Sequence, residues 1–424
     1  MTEKLEIKNF GPIVDVNIDL KPVMVFIGNQ ATGKSTISKL IALFRGWEFI
    51  YMEAKFHDLL QHYSISSYLT LESYIKFTSE AFTFELSNGE CNLQKDGNHN
   101  YHITKAQFQE QRKLGEKLNR GAILKELEDI KSELTFSNQP QERANELLDK
   151  QKELASKLEQ ADVFQKSLVA YATEIFKLEN YSEYIPSERV FVSIASGLFM
   201  NLLNNKVPLP PSLISFGAEF EKARTELKSL DIEFLGVKYK YENNEDRIYV
   251  GENKFIPFKE SASGFQTIIP MLLVIYYKAN ESQFNGRTFI VEEPELNLFP
   301  TTQKYLTQKL IEKCASYNKK ENKFQNELVI TTHSPYILSS LNNLLFSHRI
   351  FSEKPETMDK IESIIPKNSW INGHDFSAYS VDKGQVKSII DINTSLISES
   401  ELDSASEKIN NDFDILMDIY LQEK

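Results

Sequence analysis

The chain has 424 residues, 25% charged and 41% hydrophobic, a profile that excludes disordered, fibrous and membrane-embedded classes. Its net charge of −12 argues against coating nucleic acid by bulk electrostatics, but leaves room for a local basic patch. Cys91 and Cys314 lie far apart and outside metal spacing, residues 1–5 carry no apolar signal, and no run reaches the about 20 residues of a membrane span, so a soluble cytoplasmic protein with no membrane partner is expected.

Residues 5–10 and 14–20 alternate like two amphipathic strands around the turn Gly11-Pro12. The apolar run 23–27 reads as a buried parallel strand. It feeds Gly28-Asn29-Gln30-Ala31-Thr32-Gly33-Lys34-Ser35, which fits G-x-x-x-x-G-K-[ST], and Thr36 then opens a stretch with helical spacing to residue 44. Glycines at 28 and 33 let backbone wrap an anion, and the helix N-terminus adds positive potential. Lys34 would reach the β- and γ-phosphates, and the Ser35 hydroxyl would ligate Mg²⁺. A glycine-containing turn that binds nothing is the bland alternative, and the strand and helix on either side weigh against it. The motif predicts binding of a nucleoside triphosphate.

From residue 47 to about 74 the pattern is helical and aromatic, and residues 82–86, the turn 87–89 and residues 101–103 read as a small antiparallel set. After about residue 105 the composition turns rich in Glu, Lys, Gln, Leu and Ala, with no glycine from Gly121 to residue 178. Leu114, Leu118, Leu124, Leu127 and Leu134 form one apolar seam and Leu147, Leu154, Leu158 and Leu168 another, separated by a break at 136–140. This predicts an inserted helical hairpin, an antiparallel coiled coil with its tip near Asn138 to Pro140 and arms of roughly 45 Å. Two helices packed flat on the body are the alternative. Arg112, Lys113, Lys117 and Arg120 read as a solvated face. The expected organisation is an N-terminal lobe, 1–104, a helical insertion, 105–180, and a C-terminal lobe, 181–424.

Order returns at residues 184–189, where Glu188 and Arg189 are read either as functional or as a capping or core ion pair. Residues 208–211 form a stiff proline connector, and 236–241 and 247–250 a strand pair around Asn243-Asn244. Three motifs follow. Ser261-Ala262-Ser263-Gly264-Phe265-Gln266 precedes an apolar helix, so Ser263 and Gly264 offer either a hydroxyl and helix-start N–H groups to a phosphate, or a plain cap. The buried strand 288–291 ends in Glu292-Glu293-Pro294-Glu295, which would put one acid, Glu292, on Mg²⁺ and a base, Glu293, beside the attacking water. A third buried strand, 328–332, ends in His333-Ser334-Pro335, where His333 would sense the γ-phosphate. Residues 379–381 and 386–390 read as a closing hairpin, and Asp412-Phe413-Asp414 as a solvated helix face.

In this order the motifs resemble the ABC-type ATPases of the SMC and RecF group, over nearly the whole chain. Glu292-Glu293-Pro294-Glu295-Leu296-Asn297-Leu298-Phe299-Pro300 and Thr331-Thr332-His333-Ser334-Pro335-Tyr336-Ile337-Leu338 look like the overcoming-lysogenization-defect branch and its anti-phage relatives in PARIS, Septu and Gabija. The resemblance implies an α/β P-loop NTPase of ABC/SMC type with an inserted coiled-coil hairpin, using ATP and Mg²⁺. It also implies a homodimer or higher homo-oligomer in which Ser263, Gly264 and Gln266 complete the site of a second subunit. Phe265 stands where the family has glycine, Glu292 where it has aspartate, and Gln61 is a guess for its metal-coordinating glutamine. No C-terminal nuclease motif is recognisable. The expected role is therefore a sensor or assembly ATPase in anti-phage defence, with a separate nuclease or toxin as effector. A DNA repair ATPase of RecF type that clamps duplex DNA is the second reading, which leaves nucleic acid open as a partner. A transporter ATPase subunit is the third.

Overall fold

A computed structural model describes residues 3–46, 49, 56–80, 82–95, 126–127, 129–130, 143, 145–157, 159–160, 181–195, 209–252, 254–280, 286–318 and 323–398. The expected strand at 101–103, the hairpin tip, the basic residues 112–120 and Asp412 and Asp414 lie outside them.

β1 (Lys4–Phe10) and β2 (Ile13–Asp19) form the expected antiparallel pair, and β3 (Val23–Ile27) leads to α1 (Lys34–Phe44). α2 (Phe56–His62) is followed by β4 (Tyr74–Thr78), β5 (Phe82–Ser87) and β6 (Glu90–Lys95). The helical reading of 47–74 thus fails towards its end. Tyr74 opens a strand that pairs with β1 and buries Ile75 and Phe77, the latter ring stacked on Phe44 at 4.8 Å. Tertiary pairing overrides the local pattern there.

β7 (Tyr181–Ile185) comes next, then α3 (Val190–Ile194) and α4 (Pro211–Leu227). A separate antiparallel sheet contains β8 (Ser229–Ile232), β9 (Val237–Glu242), β10 (Glu245–Tyr249) and β11 (Phe255–Pro257), with the expected turn at Asn243 and Asn244, both at positive φ. The chain continues with α5 (Ser263–Ala279), β12 (Arg287–Glu292) and α6 (Pro300–Cys314). The short pair β13 (Tyr317–Asn318) and β14 (Lys323–Phe324) precedes β15 (Asn326–Thr332) and α7 (Pro335–Glu353). α8 (Met358–Glu362) and the closing hairpin of β16 (Phe376–Asp382) and β17 (Gln385–Ser388) follow.

The main sheet has eleven strands in the order β6-β5-β4-β1-β2-β17-β16-β3-β15-β12-β7. From β16 to β7 every pairing is parallel, whereas β6 to β2 form an antiparallel wing. Burial explains the contrast. All six residues of β12 are buried, as are four of the five in β3, which is what a strand covered on both faces requires. β1 and β5 instead alternate, with one face turned to the core. The main apolar cluster joins the parallel strands to Phe216, Phe220, Met271, Leu272, Leu310 and Leu341 of the flanking helices.

The chain divides into two compact units. Met1–Lys95, Asn180–Ser282 and Gly286–Lys424 make up the first, and Asp96–Glu179 with Gln283–Asn285 the second. In the second, the described residues are helical. Ile130, Leu147 and Leu154 cluster with Leu127, and Lys150 pairs with Glu126 at 2.6 Å.

Candidate active site

The carboxyl ends of adjacent parallel strands open on one edge of the sheet, the usual place for a ligand in an open α/β fold. β3 lies between β15 and β16 and delivers the loop 28–33 to that edge. Two glycines there are obligatory. A Cβ on Gly28 (φ 156°) would stand 2.2 Å from the Val381 carbonyl oxygen, and one on Gly33 (φ 110°) 2.4 Å from Ile13 Cδ1. Asn29, Gln30 and Ala31 are exposed, while the Thr32 hydroxyl braces the loop by donating to the Asn29 carbonyl at 2.9 Å. Gly33 caps α1 without a side chain, and no acid stands in the first turn, so the helix start is electropositive. Ser35 is half-buried at that start, and Thr36 is buried within α1.

The Lys34 ammonium curls back to donate to the carbonyls of Gly28 (2.9 Å) and Asn29 (2.7 Å). Burial lowers its pKa, opposed by the field of Glu293, Glu295 and Glu292. His333, at the end of β15, has Nδ1 3.5 Å from Lys34 Nζ and Nε2 3.1 Å from Glu293 Oε1. A neutral ring protonated at Nε2 satisfies both contacts, donating to the carboxylate and accepting from the lysine.

The two acids that end β12 differ sharply. Glu292 is only 3% exposed; its Oε1 accepts from Ser38 at 2.9 Å, and the Tyr184 hydroxyl also bonds its carboxylate. Burial raises its pKa against the pull of Lys39 and these two hydroxyls. Ser38 also reaches the Ser35 carbonyl at 3.0 Å, which ties Glu292 to the first turn of α1. Glu293 is partly open and left-handed, at φ 45°, with its N–H donating to the Thr331 carbonyl at 2.8 Å. Glu295 sits between the strand ends. Its Oε1 accepts from the Thr332 hydroxyl (2.7 Å) and the His333 N–H (2.8 Å), and its Oε2 is buried without a partner among the described residues. Ser334 accepts from the Tyr336 N–H as N-cap of α7, ahead of Pro335 at the helix start.

The 263–266 motif forms the first turn of α5, as its sequence predicts. Ser263 is exposed, and its hydroxyl bonds nothing among the described residues. Gln266 turns back to donate to the carbonyls of Lys259 (2.9 Å) and Ser261 (3.0 Å). Phe265 packs on the main core, and a Cβ on Gly264 would stand 2.9 Å from the Asn297 carbonyl oxygen. Among the described residues this turn makes no hydrogen bond or ion pair with residues 28–36 or His333. Gln61 is exposed on α2, with its amide 3.2 Å from His57 Nε2 and on no residue of the phosphate loop.

The fold thus gathers Lys34, Ser35, Glu292, Glu293 and His333 at one edge, and among the described residues Ser263 and Gly264 make no side-chain hydrogen bond to any of them. Arg189 proves neither a cap nor an ion pair. It is fully buried, and its guanidinium donates to the carbonyls of Thr267, Pro186, Glu292 and Glu293. Ser38, Tyr184 and Glu295 also join the site without having been singled out by sequence. Their only signals were the helical position of Ser38 one turn after Ser35, and the second carboxylate of the Glu-Pro-Glu run.

A phosphate loop capped by a lysine, with acids and a histidine on neighbouring strand ends, defines a P-loop nucleoside triphosphatase. The AAA ATPase domain family matches residues 1–338; the chain belongs to that family and is an ATPase. Among solved structures it is similar to the SMC head domain from Thermotoga maritima, at 11% identity and a TM-score of 0.37 over 80% of this chain and 92% of that one. It is also similar to the recombination mediator protein RecF-ATPrS in the RecFOR pathway, at 10% identity and a TM-score of 0.31 over 92% and 98%. No curated protein matches the chain.

Proposed function

We propose that this ATPase is a nucleotide-driven switch in which two copies close head to tail over ATP. The observation that carries this reading is that Ser263 is left unengaged among the described residues. Lys34, Glu293 and His333 share one strand edge, while Ser263 presents an exposed hydroxyl at a helix start that none of them engages. Phe299 and Tyr336, 73% and 52% exposed beside the two strand-end motifs, add an apolar rim for the second copy. In this reading Lys34 and the loop N–H groups of residues 28–36 bind the phosphates. Glu293 takes the proton of the attacking water, and His333 holds Glu293 while facing the γ-phosphate. Ser263, Gly264 and Gln266 act in trans.

The donor set fits Mg²⁺. The Ser35 hydroxyl and the Glu292 carboxylate are hard oxygens, and among the described residues the buried Glu292 carboxylate forms no ion pair with a lysine or arginine. Bound there, the ion would offset charge on the phosphates. The lobes 1–104 and 181–424 would form one ATPase, with 105–180 inserted as a coiled-coil hairpin; the cluster of Leu127, Ile130, Leu147 and Leu154 supports such an arrangement.

Following the family resemblance, we assign the switch to anti-phage defence, as a cytoplasmic sensor or assembly ATPase that holds a separate effector. The deciding experiment is ATP turnover by the purified protein with and without duplex DNA, with sedimentation of Glu293→Gln in ATP. Turnover indifferent to DNA, with an ATP-dependent dimer, is expected. Several-fold stimulation by DNA would replace this reading with a DNA-clamping one, and a monomer in ATP would remove the switch.

A further inference from the structure

Arg189 stands in the turn after β7 and shows no exposed surface. Four of its five N–H donors reach four carbonyls on three separate segments. Nη2 donates to the Glu293 carbonyl and Nη1 to that of Glu292, each at 2.7 Å. Nη1 also donates to the Pro186 carbonyl at 3.0 Å, and Nε to the Thr267 carbonyl at 3.1 Å. No carboxylate oxygen touches the cation. Burial lowers its pKa to about 10, while the fields of Glu295, Glu293, Glu292 and Glu188 act to keep it charged.

Two features make this more than core packing. Glu293 holds a left-handed backbone that is unfavourable for a non-glycine residue, and both its peptide neighbours are pinned, its N–H by Thr331 and its carbonyl by Arg189. The Thr267 end belongs to the first turn and a half of α5, the helix that begins with Ser263 and Gly264. A second link runs in parallel. Asn297, in the turn after Glu295, donates to the Thr267 hydroxyl at 3.2 Å, and its carbonyl oxygen bounds Gly264. Both links tie the start of α5 to the acid-bearing turn.

We infer that Arg189 is a positioning residue that holds Glu293 in its reactive backbone conformation and couples that conformation to the first turn of α5, so that engagement of Ser263 and Gly264 by a partner is felt at the catalytic carboxylate. The inference rests on Glu293 being the base. Only arginine meets the geometry, because its planar fork serves carbonyls on two edges at once, whereas a lysine ammonium is a single point on a flexible stem.

The test compares Arg189→Lys with Arg224→Lys, a buried arginine of the small-sheet region that pairs with Asp246. Arg189→Lys should bind ATP within about threefold of wild type yet lose roughly 10- to 100-fold in kcat, the scale set by a misplacement of about 1 Å at a reacting group. Added guanidinium should restore part of the turnover of Arg189→Ala. Arg224→Lys should lose stability and keep kcat. A kcat in Arg189→Lys no lower than in Arg224→Lys overturns the inference. Glu293→Gln separates the two layers: normal turnover in that variant sinks the base assignment itself, whereas a dead Glu293→Gln beside a normal Arg189→Lys sinks only the positioning. Should Arg189→Lys not fold, hydrogen exchange on the wild-type chain decides. A slowly hydrolysed ATP analogue should raise protection at residues 292–293 and 264–268 together, and protection of 292–293 alone contradicts the coupling.

Discussion

Two of the regions that bury charge in this molecule do so by opposite rules. Beside the small sheet, Arg224 lies between Asp246 at 2.7 Å and Glu221, while Tyr239 donates to the same Asp246. Each charge there meets its opposite, although Arg224 Nε is buried without a hydrogen-bond partner among the described residues. At the carboxyl edge of the parallel strands, Arg189 meets only carbonyls, Lys34 leans on its own loop, and Glu292 is buried against hydroxyls. Glu293 adds a left-handed backbone and Glu295 an unpartnered buried oxygen. In the first arrangement opposite charges pair, and the second matches its charges only when an anion and its counter-ion arrive. Strain and unmatched charge concentrated at one edge are what a binding and reaction site requires.

The comparison can be broken most forcefully at Lys34. Lys34→Ala removes the one ammonium aimed at the phosphate loop and should lower kcat/KM by about 10²- to 10³-fold, measured as phosphate release, with the melting temperature little changed. Arg224→Ala should do the reverse. Stranding the buried Asp246 should cost roughly 3 kcal/mol in urea unfolding, with turnover per folded molecule preserved.

Glu292→Gln should sharpen the contrast with the smallest effect. Burial raises the folded-state pKa of Glu292, so its favourable contribution is present below the unfolded pKa and is lost as pH rises through the folded one. At neutral pH the wild type without nucleotide therefore carries a penalty that glutamine lacks. The variant should be more stable than wild type in urea unfolding at pH 7, with the difference shrinking as pH falls. A Glu292→Gln protein less stable than wild type at pH 7 would show that the carboxylate is welcome where it lies.

Much of this edge was legible in the sequence, for a physical reason. The phosphate loop, β12 and β15 announce themselves because a doubly covered strand must be apolar throughout and must change character abruptly where it ends, at Gly28, Glu292 and His333. β4 was hidden because the approach to it, exposed at residues 70–72, carries no strand alternation, and only pairing with β1 gives Ile75 and Phe77 a face to bury. Arg189 was hidden more deeply. Three of its four partners are backbone carbonyls 78 to 104 residues further along the chain, and a carbonyl carries no residue identity to read. A side chain that serves the backbone is visible only once the backbone is placed.

The account stands on Glu293 as the base at an edge that binds ATP without it. The most direct test is a single-turnover measurement on Glu293→Gln at saturating ATP, with bound nucleotide counted in the same sample. Occupancy equal to wild type, with cleavage slowed about 10²- to 10⁴-fold, is the predicted result. Cleavage at the wild-type rate would move the base elsewhere, and loss of ATP binding would make Glu293 a ligand rather than a catalyst.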